Sequence, residues 1–445
     1  MMCGVRNMIP IIGAGLAGLS TAYHLGSSRD YHICEKELQA GGLCRSYSRN
    51  GFTFDYTGHL LHTRQDYTRR LLEMLLPGTL SIHRRRASIY AQGVLTPYPF
   101  QANLYKLPPE VIKDCLVGFC RATEDRAAAI RTGHAVMSDN GVVSFKEWIV
   151  SVFGEGIAKY FMVPYNEKLW RTDLNRLSSD WVDWSIPVPT LEEVVGGALG
   201  ITNEQMGYSA QFLYPKEGGI GILPQSFLPH VNDIQYNKQL TAVDLKEKRV
   251  WFSDGDSIAY STLVSTIPLP ELLGMIRHLP SDIDAVKRGL RHISVLDINL
   301  GINRDAITDQ HWIYFSEAAF PFYRSGCYSN FAGASAPSQA SSLYIEISYL
   351  PGADYDHRGV IDDARQSLSR CGMLKGSDRA IVESTVDIPY AYVIYDNFRK
   401  EHLPSVMNYL KGNGVWSIGR YGSWKYMSME DTILEGKAAA EVLRG

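Results

Sequence analysis

The chain of 445 residues is short of several things that would place it elsewhere. Its cysteines form an odd set of seven (3, 34, 44, 115, 120, 327 and 371) without C-x-x-C spacing, which argues against a disulfide framework or a structural zinc site and for reduced thiols. No run approaches the roughly 18 apolar residues of a membrane span. The few residues ahead of the first apolar run are too short for the charged start of a signal peptide, so a cytoplasmic location is expected. Against 47 acidic residues stand 44 basic ones, a net charge of −3 that gives no global basic field for nucleic acid or an anionic membrane. There is no G-x-S-x-G elbow and no cysteine with a clear histidine partner, so nucleophilic hydrolysis has little support. Repeats, low-complexity stretches and flexible linkers are also missing. A chain this long outgrows a single core, so two or three interleaved domains are expected.

What is present begins with "IPIIGAGLAGLSTAYHL", residues 9 to 25, where Gly13, Gly15 and Gly18 stand in G-x-G-x-x-G spacing between a short apolar run and an amphipathic one. In such a turn Gly13 allows a tight exit from the first strand, Gly15 lets backbone N–H groups approach a pyrophosphate, and Gly18 lets the helix pack closely on the strand. Glu35 ends the next apolar run, about where an acid would bind a ribose hydroxyl. The following "GGLCRS" supplies Gly41, Gly42 and Arg45, a second glycine loop and a cation placed to close over the pyrophosphate from the other side. That second clamp is the pattern of FAD proteins, and we read FAD over NAD.

The expected fold is α/β: a discontinuous Rossmann-type FAD-binding domain at 1–65, 211–275 and 410–445, an inserted, mainly helical domain at 66–210, and an antiparallel-sheet substrate domain at 276–409. Three- and four-residue apolar spacing in "DYTRRLLEMLLP" and "SFKEWIVSVFGEGIAKYFMVPYNEKLW" carries the helical segment. Alternating runs such as "SVLDINLGI" and "SSLYIEISYL" carry the second sheet.

In "GFTFDYTGHLLH", His59 and His62 lack further ligands for a metal, and Thr57-Gly58-His59 reads instead as a close loop beside a flat ligand. "RRR" at 84–86 reads as a solvated face. Aromatic residues recur beside cations, among them Tyr98, Phe100, Tyr165, Trp170, Tyr314, Tyr392 and Tyr426 near Arg324, Arg420 and Lys425, an arrangement suited to stacking a base and forking phosphate oxygens.

Taken with the glycine turn, "LTPYPFQANL", "FKEWIVSVFGEGIAKYFMVPYNEKLW", "HWIYFSEAAFPFYRSGCYSNF" and "WSIGRYGSWKYMSMED" resemble the flavin-dependent UDP-galactopyranose mutases, particularly the eukaryotic type, in order over nearly the whole chain. The glycine motifs belong to the wider superfamily of amine oxidases, phytoene desaturases and protoporphyrinogen oxidases. The resemblance implies a redox-neutral pyranose–furanose isomerase acting on a nucleotide sugar, with the N5 of reduced FAD as nucleophile. It implies Tyr98, Phe100, Gln101, Tyr165, Asn166 and Trp170, with Tyr314, as substrate-binding residues. Arg324, Tyr392 and Tyr426 fall to the diphosphate, His59 to the loop beside the flavin, and Gly58, Arg420 and Gly422 to turns near it. The eukaryotic type also allows NADPH as reductant, through Tyr98, Arg86 and Arg420. The alternative is a net oxidoreductase of the amine oxidase or desaturase class.

Two positions depart from the family pattern. Where a second diphosphate arginine is expected, "SSDWVDWSIPVP" has Ser185, so either another cation (Arg171, Arg176 or Lys425) replaces it or the substrate differs. Where a tyrosine is expected after S-N, the chain has Phe331.

Overall fold

The computed structural model describes residues 8–132, 143–182, 186–201, 210–353 and 356–444. The strand Ile9–Ile12 is buried at every position and lies inside a five-stranded parallel sheet, where helices cover both faces and alternation disappears. Its neighbours are Tyr31–Cys34 on one side and Leu263–Ser265 on the other, with Ile234–Gln235 and Val415–Ser417 at the edges. Helix Leu16–Leu25 follows the first strand and packs against helix Met429–Arg444. Gly18 makes the close approach possible, since a Cβ there would lie 2.0 Å from the Gly13 carbonyl oxygen.

The second sheet has seven strands in the order 380–393, 292–302, 341–349, 324–327, 312–315, 87–91 and 94–97. All its pairings are antiparallel except that of Trp312–Phe315 with Ala87–Ala91. Two of these strands, 87–91 and 94–97, come from the segment expected to be mainly helical. Their alternation is too short to stand out beside the long helical patterns that follow.

Those helices, Pro109–Thr132 and Phe145–Ile157, touch almost backbone to backbone: a Cβ on Gly156 would meet the Asp114 carbonyl oxygen at 2.3 Å. Ser144 and Glu147 form a reciprocal capping box that starts the second helix. A five-residue π-helical turn, Ala158–Met162, then joins it to helix Val163–Trp170 and turns the P-Y-N-x-K-x-W residues toward the large sheet. Lys168 fastens that helix to the sheet by donating to the carbonyls of Phe315 and Phe322 at 2.9 and 3.3 Å. Among the described residues no helix is long and apolar enough to cross a membrane.

Candidate active site

Helix Leu16–Leu25 has Gly15 at its N-cap with no side chain bonded to its first N–H groups, so they stay available to an anion. The second glycine loop lies against it: Gly41 donates to the Ala14 carbonyl at 2.8 Å, and a Cβ on Gly42 would stand 3.3 Å from the Gly15 Cα. The Glu35 carboxylate accepts from Ala14 N at 2.7 Å and Glu37 N at 2.9 Å, which holds it at the end of the second strand. Gly422 packs under the ends of two strands, with a Cβ position 3.1 Å from the Ser265 carbonyl oxygen and 3.2 Å from Ser417 Oγ. A cradle bare of Cβ atoms, uncapped N–H groups and a fixed carboxylate fit the diphosphate and ribose of FAD. Arg45 is turned elsewhere, donating to the Gly42 carbonyl at 2.7 Å and lying 4.8 Å over the Tyr56 ring.

The Thr57-Gly58-His59 loop faces the large sheet. Gly58 is required there by the sheet itself, because a Cβ would meet the Tyr344 hydroxyl at 2.3 Å. Thr57 adopts φ +70, a costly region for a β-branched residue, and its N–H donates to Asp297 at 3.2 Å. Burial and the Arg420 guanidinium lower His59 to about 4, so it is neutral at pH 7.

Arg324 forms two hydrogen bonds with Glu346, from Nε at 2.8 Å and Nη2 at 2.6 Å, and Glu346 is fully buried. Burial, reinforced by the negative charge of Glu346, pushes the Asp297 carboxyl well above the usual carboxylate range. Arg420 donates to the carbonyls of Met427 and Ala391 and lies 4.4 Å from the Tyr426 ring centre and 5.3 Å from that of Tyr392. Those two rings are stacked at 5.8 Å and 13°. Among the described residues no carboxylate pairs with Arg420, so it is a cation surrounded by aromatic faces and carbonyl oxygens.

Tyr98, Tyr314 and Tyr165 form a continuous aromatic wall, with ring centres 5.4 and 5.5 Å apart. Trp170 meets Tyr392 edge to face at 5.9 Å. Phe100, Gln101, Asn166 and Trp170 stand behind this wall: Phe100 stacks on Phe161, Gln101 donates to the Pro187 carbonyl, Asn166 to the Met162 carbonyl, and Trp170 Nε1 to Asn166. The side-chain donors of Gln101, Asn166 and Trp170 are engaged within the protein.

The candidates for the missing cation fare unequally. Ser185 lies outside the described residues, Arg176 and Lys425 are exposed, and Arg171 donates to the Ser348 carbonyl at 2.8 Å. Arg420, assigned from the sequence to the flavin turn, is the cation that borders the tyrosine stack. Phe331 is buried against Tyr214, at 5.2 Å, and belongs to the core. The 84–86 cluster needs correction as a solvated face: Arg84 and Arg86 point outward, but Arg85 is 4% exposed and lies 4.6 Å over Tyr98. Backbone alternation carries the middle residue of such a run inward.

Asp297 and Glu346 escaped the sequence reading. Each is an isolated acid inside an apolar strand run, in "SVLDINLGI" and "LYIEISYL", and that is the signal that finds them. In the native protein Asp297 keeps its proton to higher pH than in the unfolded chain, where an aspartate titrates near about 4. The native state therefore binds the extra proton between those values. Its contribution to stability is complete below about pH 4 and is lost as pH rises through the native value. In urea unfolding between about pH 5 and 8, the parent is expected to lose stability relative to Asp297→Asn, which keeps the neutral shape. Equal slopes would show that Asp297 is ionised in the folded protein.

A parallel sheet with a glycine turn, an acid on the second strand and a facing glycine loop is the arrangement of a protein that holds a dinucleotide cofactor. The chain belongs to the flavin containing amine oxidoreductase family, which it matches over residues 16–444, and this implies FAD. It is 41% identical over 64 residues to hydroxysqualene dehydroxylase of Sinorhizobium fredii (strain NBRC 101917 / NGR234), a match spanning 14% of this chain and 15% of that relative. Its structure resembles that of a reduced UDP-galactopyranose mutase, with TM-score 0.90 and 27% identity, covering 98% of this chain and 95% of the other. Wild-type putrescine oxidase bound to putrescine shares the fold at TM-score 0.67 and 14% identity, with 98% of both chains covered.

Proposed function

We propose that the protein is an FAD-dependent pyranose–furanose mutase acting on a nucleotide sugar of the UDP-galactose kind. The observation that carries this is the pair of cations bordering the stacked Tyr392 and Tyr426: among the described residues Arg324 shares its charge with one carboxylate, and Arg420 with none. A surplus of half-buried positive charge beside a tyrosine stack suits a diphosphate and does not suit an amine. Likeness to the mutase over nearly the whole of both chains supports the same reading. The units we propose are a FAD-binding one at 1–65, 211–275 and 410–445, a helical one at 66–210 and a substrate-binding one at 276–409.

FAD would rest on Gly13, Gly15, Gly42 and Gly422, with its ribose at Glu35. In reduced form it would supply a nucleophilic N5 to chemistry that needs no net electron transfer. The chain's own side chains bind and orient. Arg324 and Arg420 hold the diphosphate, Tyr392 and Tyr426 offer hydroxyls to it, and the wall of Tyr98, Tyr165 and Tyr314 excludes water from the sugar. His59, neutral, sits between the cations without adding charge. If NADPH is the reductant, Arg85 rather than Arg86 is the guanidinium over Tyr98; Arg86 is exposed and donates to the Asp309 carbonyl at 2.7 Å.

The test is to mix UDP-galactofuranose anaerobically with the protein, its flavin reduced by dithionite, and to follow the nucleotide sugar by chromatography. Conversion to the pyranose without flavin reoxidation is expected. If the sugar is unchanged and the protein instead consumes oxygen with an amine or polyene, it is one of the family's oxidoreductases.

A further inference from the structure

Three side chains stand abreast on neighbouring strands of the large sheet: Asp297 is directly opposite Glu346, and Glu346 directly opposite Arg324. Glu346 thus stands between a second carboxyl and the guanidinium it pairs with. Successive N–H groups of the loop are tied to the same two acids, Thr57 to Asp297 at 3.2 Å and Gly58 to Glu346 at 3.3 Å. Asp297 Oδ2 also accepts from Asn299 at 2.7 Å, while its Oδ1 is buried without a hydrogen-bond partner, where a proton on the carboxyl would sit. Other titratable groups facing Glu346 are His59 on the loop, the buried Tyr323 and Tyr344, and the half-buried Tyr165 and Tyr392. The tyrosines already hold their protons, so His59 is the competing acceptor.

Two arginines and one paired carboxylate leave the empty site with one positive charge. A diphosphate ester brings two negative ones and would leave a buried excess of one, which is costly away from water. We propose that the Asp297–Glu346 pair takes up one proton from solvent when a dianionic diphosphate ester binds at Arg324, so that the acid pair, in place of a further cation, neutralises the loaded site. This rests on the nucleotide-sugar reading.

UDP-galactose is the probe, because its diphosphate is esterified at both ends and has no proton of its own near neutrality. Its binding to the protein with oxidised flavin would be measured calorimetrically in PIPES and in Tris at one pH. The expected result is uptake of about one proton, and an affinity that falls about tenfold per pH unit above neutrality. In Glu346→Gln, binding without uptake is expected. Binding of the unaltered protein with no buffer dependence overturns the proposal, as does uptake that persists when Glu346→Gln is combined with Asp297→Asn, which assigns the proton to His59. The slope of the unaltered protein needs no variant to fold. If UDP-galactose binds neither oxidised nor reduced protein, the nucleotide-sugar reading itself falls, and this proposal with it.

Discussion

Arg324→Met is expected to weaken UDP-galactose binding by roughly ten- to hundredfold, the equivalent of a lost charge-assisted hydrogen bond. It should also destabilise the protein by about 3–5 kcal/mol, because Glu346, fully buried, is left without its cation. Both effects have one origin but separate in a double variant. Arg324→Met with Glu346→Gln removes the stranded charge, so most of the stability should return while the affinity does not. Urea unfolding and calorimetry on the single and double variants decide this. An Arg324→Met protein that binds as the parent does would remove this guanidinium from the ligand site.

The second large effect is expected at Gly18. An alanine Cβ there would sit 2.0 Å from the Gly13 carbonyl oxygen and 3.3 Å from Ile11 Cγ2, neither of which can yield without moving the turn or the strand. The helix must withdraw, and the groove between Gly15 and Gly42 opens. Gly18→Ala should purify with most of its flavin absorbance per mole of protein missing and with stability lower by at least about 1–3 kcal/mol. Gly274→Ala is the control: its Cβ would find nothing within 4 Å, and alanine in helix Leu269–Met275 is expected to be neutral or slightly stabilising. Full flavin content in Gly18→Ala would mean that the helix N-terminus does not set the cofactor's place.

The nucleotide-binding sheet was legible in the sequence because its signals are local: the Gly13, Gly15 and Gly18 spacing, the acid at Glu35 and the loop after it lie within one β-α-β unit. The second sheet was legible as alternating runs, but its strand order was not. Register that sets Asp297, Glu346 and Arg324 abreast joins three segments far apart in the chain, and no periodicity within one segment carries that. For the same reason the place of Arg420 beside the tyrosine stack could not be read from its turn. Only the fold shows that it borders the Tyr392 and Tyr426 stack and, among the described residues, pairs with no carboxylate. Gly58 taught a different lesson: a glycine beside a ligand loop suggested close approach of the cofactor, but the Tyr344 ring behind it already requires a residue without a side chain.

The parallel sheet takes its central strands from residues 9–12 and 263–265 and its closing strand from 415–417, and helix Met429–Arg444 then seals helix Leu16–Leu25. Synthesis runs from the N-terminus, so the edge of Leu263–Ser265 stays unpaired on the ribosome while five of the seven strands of the second sheet are made. Contacts so distant in sequence form slowly. Capture of the cofactor is therefore one of the last events in maturation, and a nascent chain interrupted before residue 415 carries the glycine turn but has an open sheet edge in place of a finished site.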